Sequence, residues 1–373
     1  MADVMATELC TVWAQVQWNL RKAQESKKTN ADKRRSRGVD FGLGDKVWLT
    51  TKNYEMVFDN ISVFNKFIIV GFPGTPVVQY FFFLLLLVTY LSTLLCNFLI
   101  IKIISTERCL QTPMYFFIRN LSFLEVCYVS VIVPKVLDTI TFNGRFISFS
   151  ACISQLFFFF FLSSTECFLF GVMAYDRYLA ICHPLHYTTL MENYKCRCLT
   201  ISSIIGGFIT TFPHIILISH LPFCRSNVIN HFFCDLPPLL KLACADTYLF
   251  DLLGFSCAAL VILTSLLVTL LSYFHIIATI ITIPTQQGRS KAFSTCGTHL
   301  IVVSIYYGSV IFMYVRPKVS FAFTLNRVVA VFYTIITPIL NPIIYCLRNK
   351  EVKESMCPLL TVHLYQHSQI CVA

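Results

Sequence analysis

Residues 67–101 read FIIVGFPGTPVVQYFFFLLLLVTYLSTLLCNFLII, an unbroken run without one Asp, Glu, Lys or Arg. A helix needs roughly 20 apolar residues to cross the hydrocarbon of a bilayer. The same reading fits four more uncharged runs: Cys198 to Cys224, Leu252 to Gly288, Ala292 to Val315 and Val328 to Leu347. Two further candidates carry isolated charges: about Met114 to Val136, with Arg119 and Glu125, and about Ser148 to Ile181, with Glu166 near its middle. Lipid offers no hydrogen bonds to a backbone, so spans of this length must be helices. A β-barrel would show alternating segments of about 10 residues instead. The expected fold is an all-α membrane protein, a seven-transmembrane helix bundle.

Composition agrees. Of 373 residues, 56% are hydrophobic and 13% charged, and Phe outnumbers Trp by 35 to 3. Soluble domains carry about 25% charged residues. Disorder, fibrous repeats, disulfide mini-proteins and an ordinary two-domain soluble enzyme are therefore excluded. The net charge of +10 would suit a nucleic-acid binder only if it clustered on a soluble domain, and it does not. Residues 1–55 hold 10 Lys/Arg and 7 Asp/Glu, whereas residues 56–373 hold 19 and 12. A polar leader precedes a greasy body.

Charge also orients the body. The connections after spans 1, 3 and 5, with the tail, carry 11 Lys/Arg, and the other side carries 8. Positive charge stays in the cytosol, so the N-terminus lies outside and the C-terminus is cytosolic. Asn60-Ile61-Ser62, ahead of span 1, is a glycosylation sequon on the outer side. Four cysteines also fall outside: Cys152 at the head of span 3, and Cys224, Cys234 and Cys244 in the loop before span 5. In an oxidising compartment they can pair in three ways.

Several strings, in order, carry a family resemblance. They are Leu110-Gln111-Thr112-Pro113-Met114-Tyr115-Phe116-Phe117 after span 1, and Met173-Ala174-Tyr175-Asp176-Arg177-Tyr178-Leu179-Ala180-Ile181-Cys182 closing span 3. His183-Pro184-Leu185-His186-Tyr187 follows, then Ser272-Tyr273 ending span 5 and Lys291-Ala292-Phe293-Ser294-Thr295-Cys296 opening span 6. Pro338-Ile339-Leu340-Asn341-Pro342-Ile343-Ile344-Tyr345 ends span 7. The body from Met56 to about Val352 resembles a vertebrate olfactory receptor of the rhodopsin class of G-protein-coupled receptors.

The resemblance implies disulfides Cys152–Cys234 and Cys224–Cys244, which hold the outer loop as a lid. It implies a switch in which Arg177, paired with Asp176 at rest, is freed on activation. Span 6 then swings outward, and Tyr273 and Tyr345 turn inward. Tyr178, Pro184, Arg289 and Lys291 complete the coupling surface for a heterotrimeric stimulatory G protein.

The ligand pocket is expected in the outer half of the bundle. On span 3, Phe159, Ser163 and Glu166 share a helix face at i, i+4 and i+7, with Phe160 and Ser164 beside them. On span 6, Tyr307, Val310 and Tyr314 repeat at i, i+3 and i+7. Cys257 and Val261 on span 5, and Val331 and Thr334 on span 7, match the family's pocket-facing positions. Such a lining suits a small, mostly apolar odorant. The run Phe157–Phe161 cannot all face it, because a helix turns too far per residue.

Intramembrane acids are expensive and usually functional. Glu125 and Glu166, with Asn97 and Asn341, are expected to form a mid-membrane polar cluster. The resemblance makes it a sodium or proton site; a hydrogen-bonded pair that merely packs is the alternative. No other cofactor is expected, and the absence of Lys from span 7 excludes a retinal Schiff base. The chain departs from the family where Ile204 stands for the usual Trp of span 4, which would loosen packing among spans 2, 3 and 4. Cys96 replaces a usual Gly before Asn97, and Glu125 a common Asp.

Residues 1–55 stand apart. Leu20–Ala23, Ala31–Arg35 and Phe41–Asn53 resemble the integrase end of a gypsy-class LTR retrotransposon polyprotein, without its catalytic carboxylates. The leader also lacks an apolar signal core and would carry ten Lys/Arg across the membrane. The expected organisation is a retroelement-like, non-receptor leader over 1–55, either disordered or a fusion artefact, the receptor domain over 56–350, and a short cytosolic tail over 351–373. The partners are an odorant, the G protein and the plasma-membrane bilayer, with no nucleic acid and no enzymatic activity. A non-signalling receptor relic is the alternative. A transporter or channel fits less well, since inverted repeats and several midplane charges are missing.

Overall fold

The computed structural model describes residues 66–71, 75–141, 145–223, 226–314 and 330–348. The chain divides into two units, Met1–Asn60 and Ile61–Ala373, and every described residue belongs to the second. The leader and Asn60 lie outside the described residues.

The order of elements is β1 (Lys66–Ile69), α1 (Pro76–Thr106), α2 (Pro113–Thr141), β2 (Phe146–Ser148), α3 (Phe149–Cys182), α4 (Tyr187–Leu190) and α5 (Asn193–Ser219). Then come β3 (Val228–Ile229), α6 (Leu236–Leu240), α7 (Tyr248–Thr282) and α8 (Gln286–Tyr314). A π-helical turn, Phe332–Ile336, runs into α9 (Thr337–Arg348). Five helices, α1, α2, α3, α5 and α7, are long and apolar enough to cross a membrane. α8 supplies the sixth span with its apolar segment His299–Ile311. The π turn and α9 occupy the seventh candidate span, α9 ending one residue past the uncharged run at Arg348.

Local chemistry sets the helix starts. Pro76 opens α1 behind an extended Thr75, where a missing N–H leaves nothing unpaired. Ser148 caps α3, its side chain accepting from the Ala151 N–H. Two uncharged runs proved longer than their helices. Phe67–Ile69 is a strand, because Gly71 turns the chain at φ 69° and Pro76 begins the helix only after it. In the run Cys198–Cys224, α5 stops at Ser219, and Phe223 forms an isolated antiparallel bridge with Ala243. Lack of charge marks exclusion from water, by protein or by lipid, and not a helix as such.

α3 is the central helix, packed against α2, α5 and α7. It approaches α5 closely at Gly207, where a Cβ would sit 3.0 Å from the Phe161 carbonyl oxygen and closer still to the Thr165 hydroxyl. Ile204, one turn away, is 40% exposed.

Hydroxyls in the spans mostly fold back on their own helix. Thr89, Thr93, Thr165, Thr200, Ser203, Ser265 and Thr269 each donate to the carbonyl four residues earlier, at 2.8–3.1 Å. That hides their polarity from lipid.

A three-stranded sheet, β2-β1-β3, closes the outer side. β1 pairs antiparallel with β2 (Phe67 opposite Ile147) and parallel with β3 (Ile69 opposite Ile229).

Candidate ligand pocket and cytosolic switch

The expected pocket residues fall into two buried groups. Phe159 is enclosed by Tyr128, Phe160 and Phe233, with ring centroids 5.7, 5.0 and 5.1 Å away. Leu162, Phe232 and Ala330 belong to the same cluster, and Val331 packs against it. The second group contains Val261, Tyr306, Tyr307 and Val310.

Ser163 links α3 to α8. The Tyr306 phenol donates to the Ser163 carbonyl at 2.9 Å, and the Ser163 hydroxyl lies 2.9 Å from the phenol oxygen. Cys167 adds a weak thiol contact at 3.7 Å, and the Tyr307 phenol donates to the Cys167 carbonyl at 3.3 Å. Among the remaining candidates, Ser164 and Cys257 are half-buried, Cys257 as a free thiol. The Thr334 hydroxyl donates to the Ala330 carbonyl at 2.6 Å, so it offers a ligand less polarity than its residue type suggests. The side chain of Tyr314 lies outside the described residues.

Sequence reasoning missed three contributors. Tyr306 is legible only through its need for a partner when buried, which Ser163 meets. Phe232 and Phe233 come from the outer loop, which has no periodicity to place them. Their position directly before Cys234 was the available clue, because a bridge to the head of span 3 draws them inward.

Direct contacts join three of the four residues expected in the polar cluster. Glu125, Glu166, Asn97 and Asn341 are all buried. The Asn341 amide donates to Glu125 Oε1, and the Glu125 and Glu166 side chains interact directly. Asn97 instead donates to the Thr93 carbonyl of its own helix at 3.0 Å. Among the described residues, Asn97 Oδ1, Glu125 Oε2, Glu166 Oε1 and Asn341 Oδ1 have no hydrogen-bond partner. Orphaned acceptor oxygens beside two carboxyls fit a proton or a hard cation. Among the described residues, no group of three or more His, Cys, Asp and Glu side chains converges as a metal site.

At the cytosolic end of α3, Asp176 is buried and held from two sides. Arg177 donates to its Oδ2 through Nε at 3.0 Å and also through Nη2. Tyr187, at the start of α4, donates to its Oδ1 at 2.8 Å. Burial and the Asp176 charge push the Tyr187 phenol above its usual range, so it remains a donor. The Tyr178 hydroxyl lies 2.9 Å from His183 Nε2. Pro184 is exposed in the turn between α3 and α4.

Tyr273 points into the bundle. Its hydroxyl lies 2.8 Å from His299 Nδ1 on α8, and the two rings stack at 5.9 Å. Arg289 is exposed near the start of α8. The side chains of Lys291 and Tyr345 lie outside the described residues. Tyr187, quoted in the His183–Tyr187 string without a role, and His299, outside every quoted string, are further members of this region.

Cys152 and Cys234 are disulfide-bonded, with Cα atoms 5.5 Å apart. Cys244 is disulfide-bonded as well, and its expected partner, Cys224, lies outside the described residues. The Phe223–Ala243 bridge brings the flanking backbone together.

A family model described as olfactory receptor matches residues 86–362. The chain belongs to the olfactory receptor family. Human olfactory receptor 6B1 is 49% identical over 301 residues, covering 81% of this chain and 96% of that protein. Mouse olfactory receptor 6B9 is 46% identical over 298 residues, covering 80% and 94%. Rat olfactory receptor 287 is 49% identical over 297 residues, covering 80% and 96%. As a member of the family, the chain is a multi-pass plasma-membrane receptor coupled to G proteins, a seven-helix bundle and not an enzyme.

Proposed function

We propose that this olfactory receptor binds a small, mostly apolar odorant between two buried walls. Phe159, Phe160 and Val331 form one, and Val261, Tyr307 and Val310 the other. Ser163, Ser164, Cys257, Thr334 and Tyr314 complete the lining. The observation that carries the reading is the Ser163–Tyr306 link, which joins α3 to α8 at the junction of the walls. A ligand pressing on either wall changes the spacing of these helices.

That displacement reaches the Asp176–Arg177–Tyr187 clasp at the far end of α3. Release of Arg177 opens the cytosolic face to a stimulatory G protein, with Tyr178, Pro184, Tyr273, Arg289, Lys291 and Tyr345 at the contact. The test is cAMP accumulation in cells expressing the chain, challenged with an odorant panel. Silence at good surface expression speaks against signalling and favours the relic.

The Glu125–Glu166–Asn341 cluster is proposed to hold a proton or sodium ion in the resting state. Basal signalling of Glu166→Gln is compared with the parent chain as external sodium is varied. A basal level indifferent to both removes the ion.

A further inference from the structure

β1, the central strand of the outer sheet, pairs with the loop that carries Phe232 and Phe233 onto Phe159, the aromatic wall of the chamber proposed above. Phe67 and Ile69 are fully buried. Phe67 meets Phe223 edge-on at 5.7 Å and Phe149 at 6.1 Å, in the cluster that contains Cys152 and Cys234. Its backbone pairing continues past β3, because the Val70 N–H donates to the Ile229 carbonyl (3.1 Å) and the Gly71 N–H to the His231 carbonyl (3.3 Å).

His231 is followed at once by Phe232 and Phe233, both fully buried, and Phe233 reaches Phe159 at 5.1 Å. On their other side the loop is fixed at Cys234, by its disulfide and by its N–H donating to Gln155 Oε1 at 2.9 Å. The Gln155 amide in turn donates to the Val131 carbonyl of α2 at 2.9 Å. The two phenylalanines thus hang between an anchor on α3 and an anchor on β1. The α3 anchor is covalent. The β1 anchor is a short parallel pairing, two register pairs with β3 and one bond on to His231, weak by itself, so it depends on the packing of Phe67 and Ile69.

We propose that β1 is a positioning strand for the pocket: Phe67 and Ile69 set how deeply Phe232 and Phe233 sit over Phe159, and so control access from outside. The chamber's role as an odorant pocket rests on the function proposed above; the mechanical coupling does not.

Cys257, a half-buried free thiol, lies about 14 Å along α7 from its outer end at about 1.5 Å per residue and serves as reporter. Intact cells expressing the full chain are treated with a charged, membrane-impermeant methanethiosulfonate. Modification of Cys257 is followed by peptide mass spectrometry per surface receptor, with cytosolic Cys198 as the unlabelled control. Phe67→Ala is expected to raise the labelling rate about tenfold through easier local opening, and Phe67→Leu to restore it to within about twofold through retained packing. Ile68→Cys combined with Val228→Cys, Cα partners across β1 and β3, is expected to lower the rate once joined.

Equal rates in all four chains overturn the proposal. If Phe67→Ala fails to reach the surface, the joined pair decides: an unchanged rate overturns it and a lowered rate supports it. Labelling needs no odorant. Lid-dependent labelling without any cAMP response removes the odorant-pocket reading and leaves the positioning role. Uniform labelling in a chain that answers odorants removes the positioning role alone.

Discussion

Tyr187→Phe deletes one oxygen from the cytosolic clasp and leaves the ring in place. The lost contact is a 2.8 Å donation to Asp176 Oδ1, a hydrogen bond to a buried carboxylate. Such bonds contribute about 1.5–3 kcal/mol. Tyr187 is only half-buried, and water can partly replace it, so the lower end applies. A loss of about 1.5 kcal/mol from the resting state alone shifts the resting-to-active ratio about tenfold. Basal cAMP at matched surface expression is therefore expected to rise by up to about tenfold, with the odorant-evoked maximum unchanged. The sign with pH follows from the raised phenol pKa. The bond is fully present below the unfolded value of about 10 and is lost only as pH climbs through the still higher folded value. The effect of the substitution is thus flat across the physiological range. Basal signalling equal to the parent, with Asp176→Asn elevated in the same assay, would refute the role of Tyr187 in the clasp.

Three further outcomes are expected. Gly207→Ala drives a methyl toward the Phe161 carbonyl, which a Cβ would meet at 3.0 Å; overpacking of this kind costs about 1–3 kcal/mol, visible as a lower melting temperature in detergent. Cys152→Ser opens a bridge spanning 82 residues of sequence. Loss of a native disulfide typically costs about 2–5 kcal/mol, so surface staining should fall sharply, whereas Cys198→Ser should leave it unchanged. Tyr306→Phe removes the phenol that donates to the Ser163 carbonyl, at about 1 kcal/mol. It is expected to shift the half-maximal odorant concentration severalfold while surface expression stays normal.

The bundle was legible because lipid imposes one rule, backbone self-sufficiency, and seven charge-poor runs obey it. The ends of those runs were not legible. Phe67–Ile69 and Pro222–Cys224 are as apolar as the helices beside them, and only backbone punctuation at Gly71 and Pro76 separates strand from span. Asp176 and Arg177 could be read from their adjacency. Tyr187 could not, because it reaches Asp176 across the turn around Pro184. Likewise Glu125 and Asn341 meet across 216 positions of sequence, a contact the resemblance anticipated and periodicity could not. The aromatic roof escaped because loop residues carry no helical register from which to infer a face.

The hydroxyls bonded to their own helices carry a consequence for the receptor's evolution. Thr93, Ser203 and Ser265 need no partner on another helix, since the carbonyl four residues back is always within reach. A serine or threonine can therefore arise by mutation at many positions of a span without first recruiting a complementary change elsewhere. Most such changes are silent for folding. Those that happen to border the chamber alter its chemistry at once, so ligand preference can drift while the scaffold stays intact.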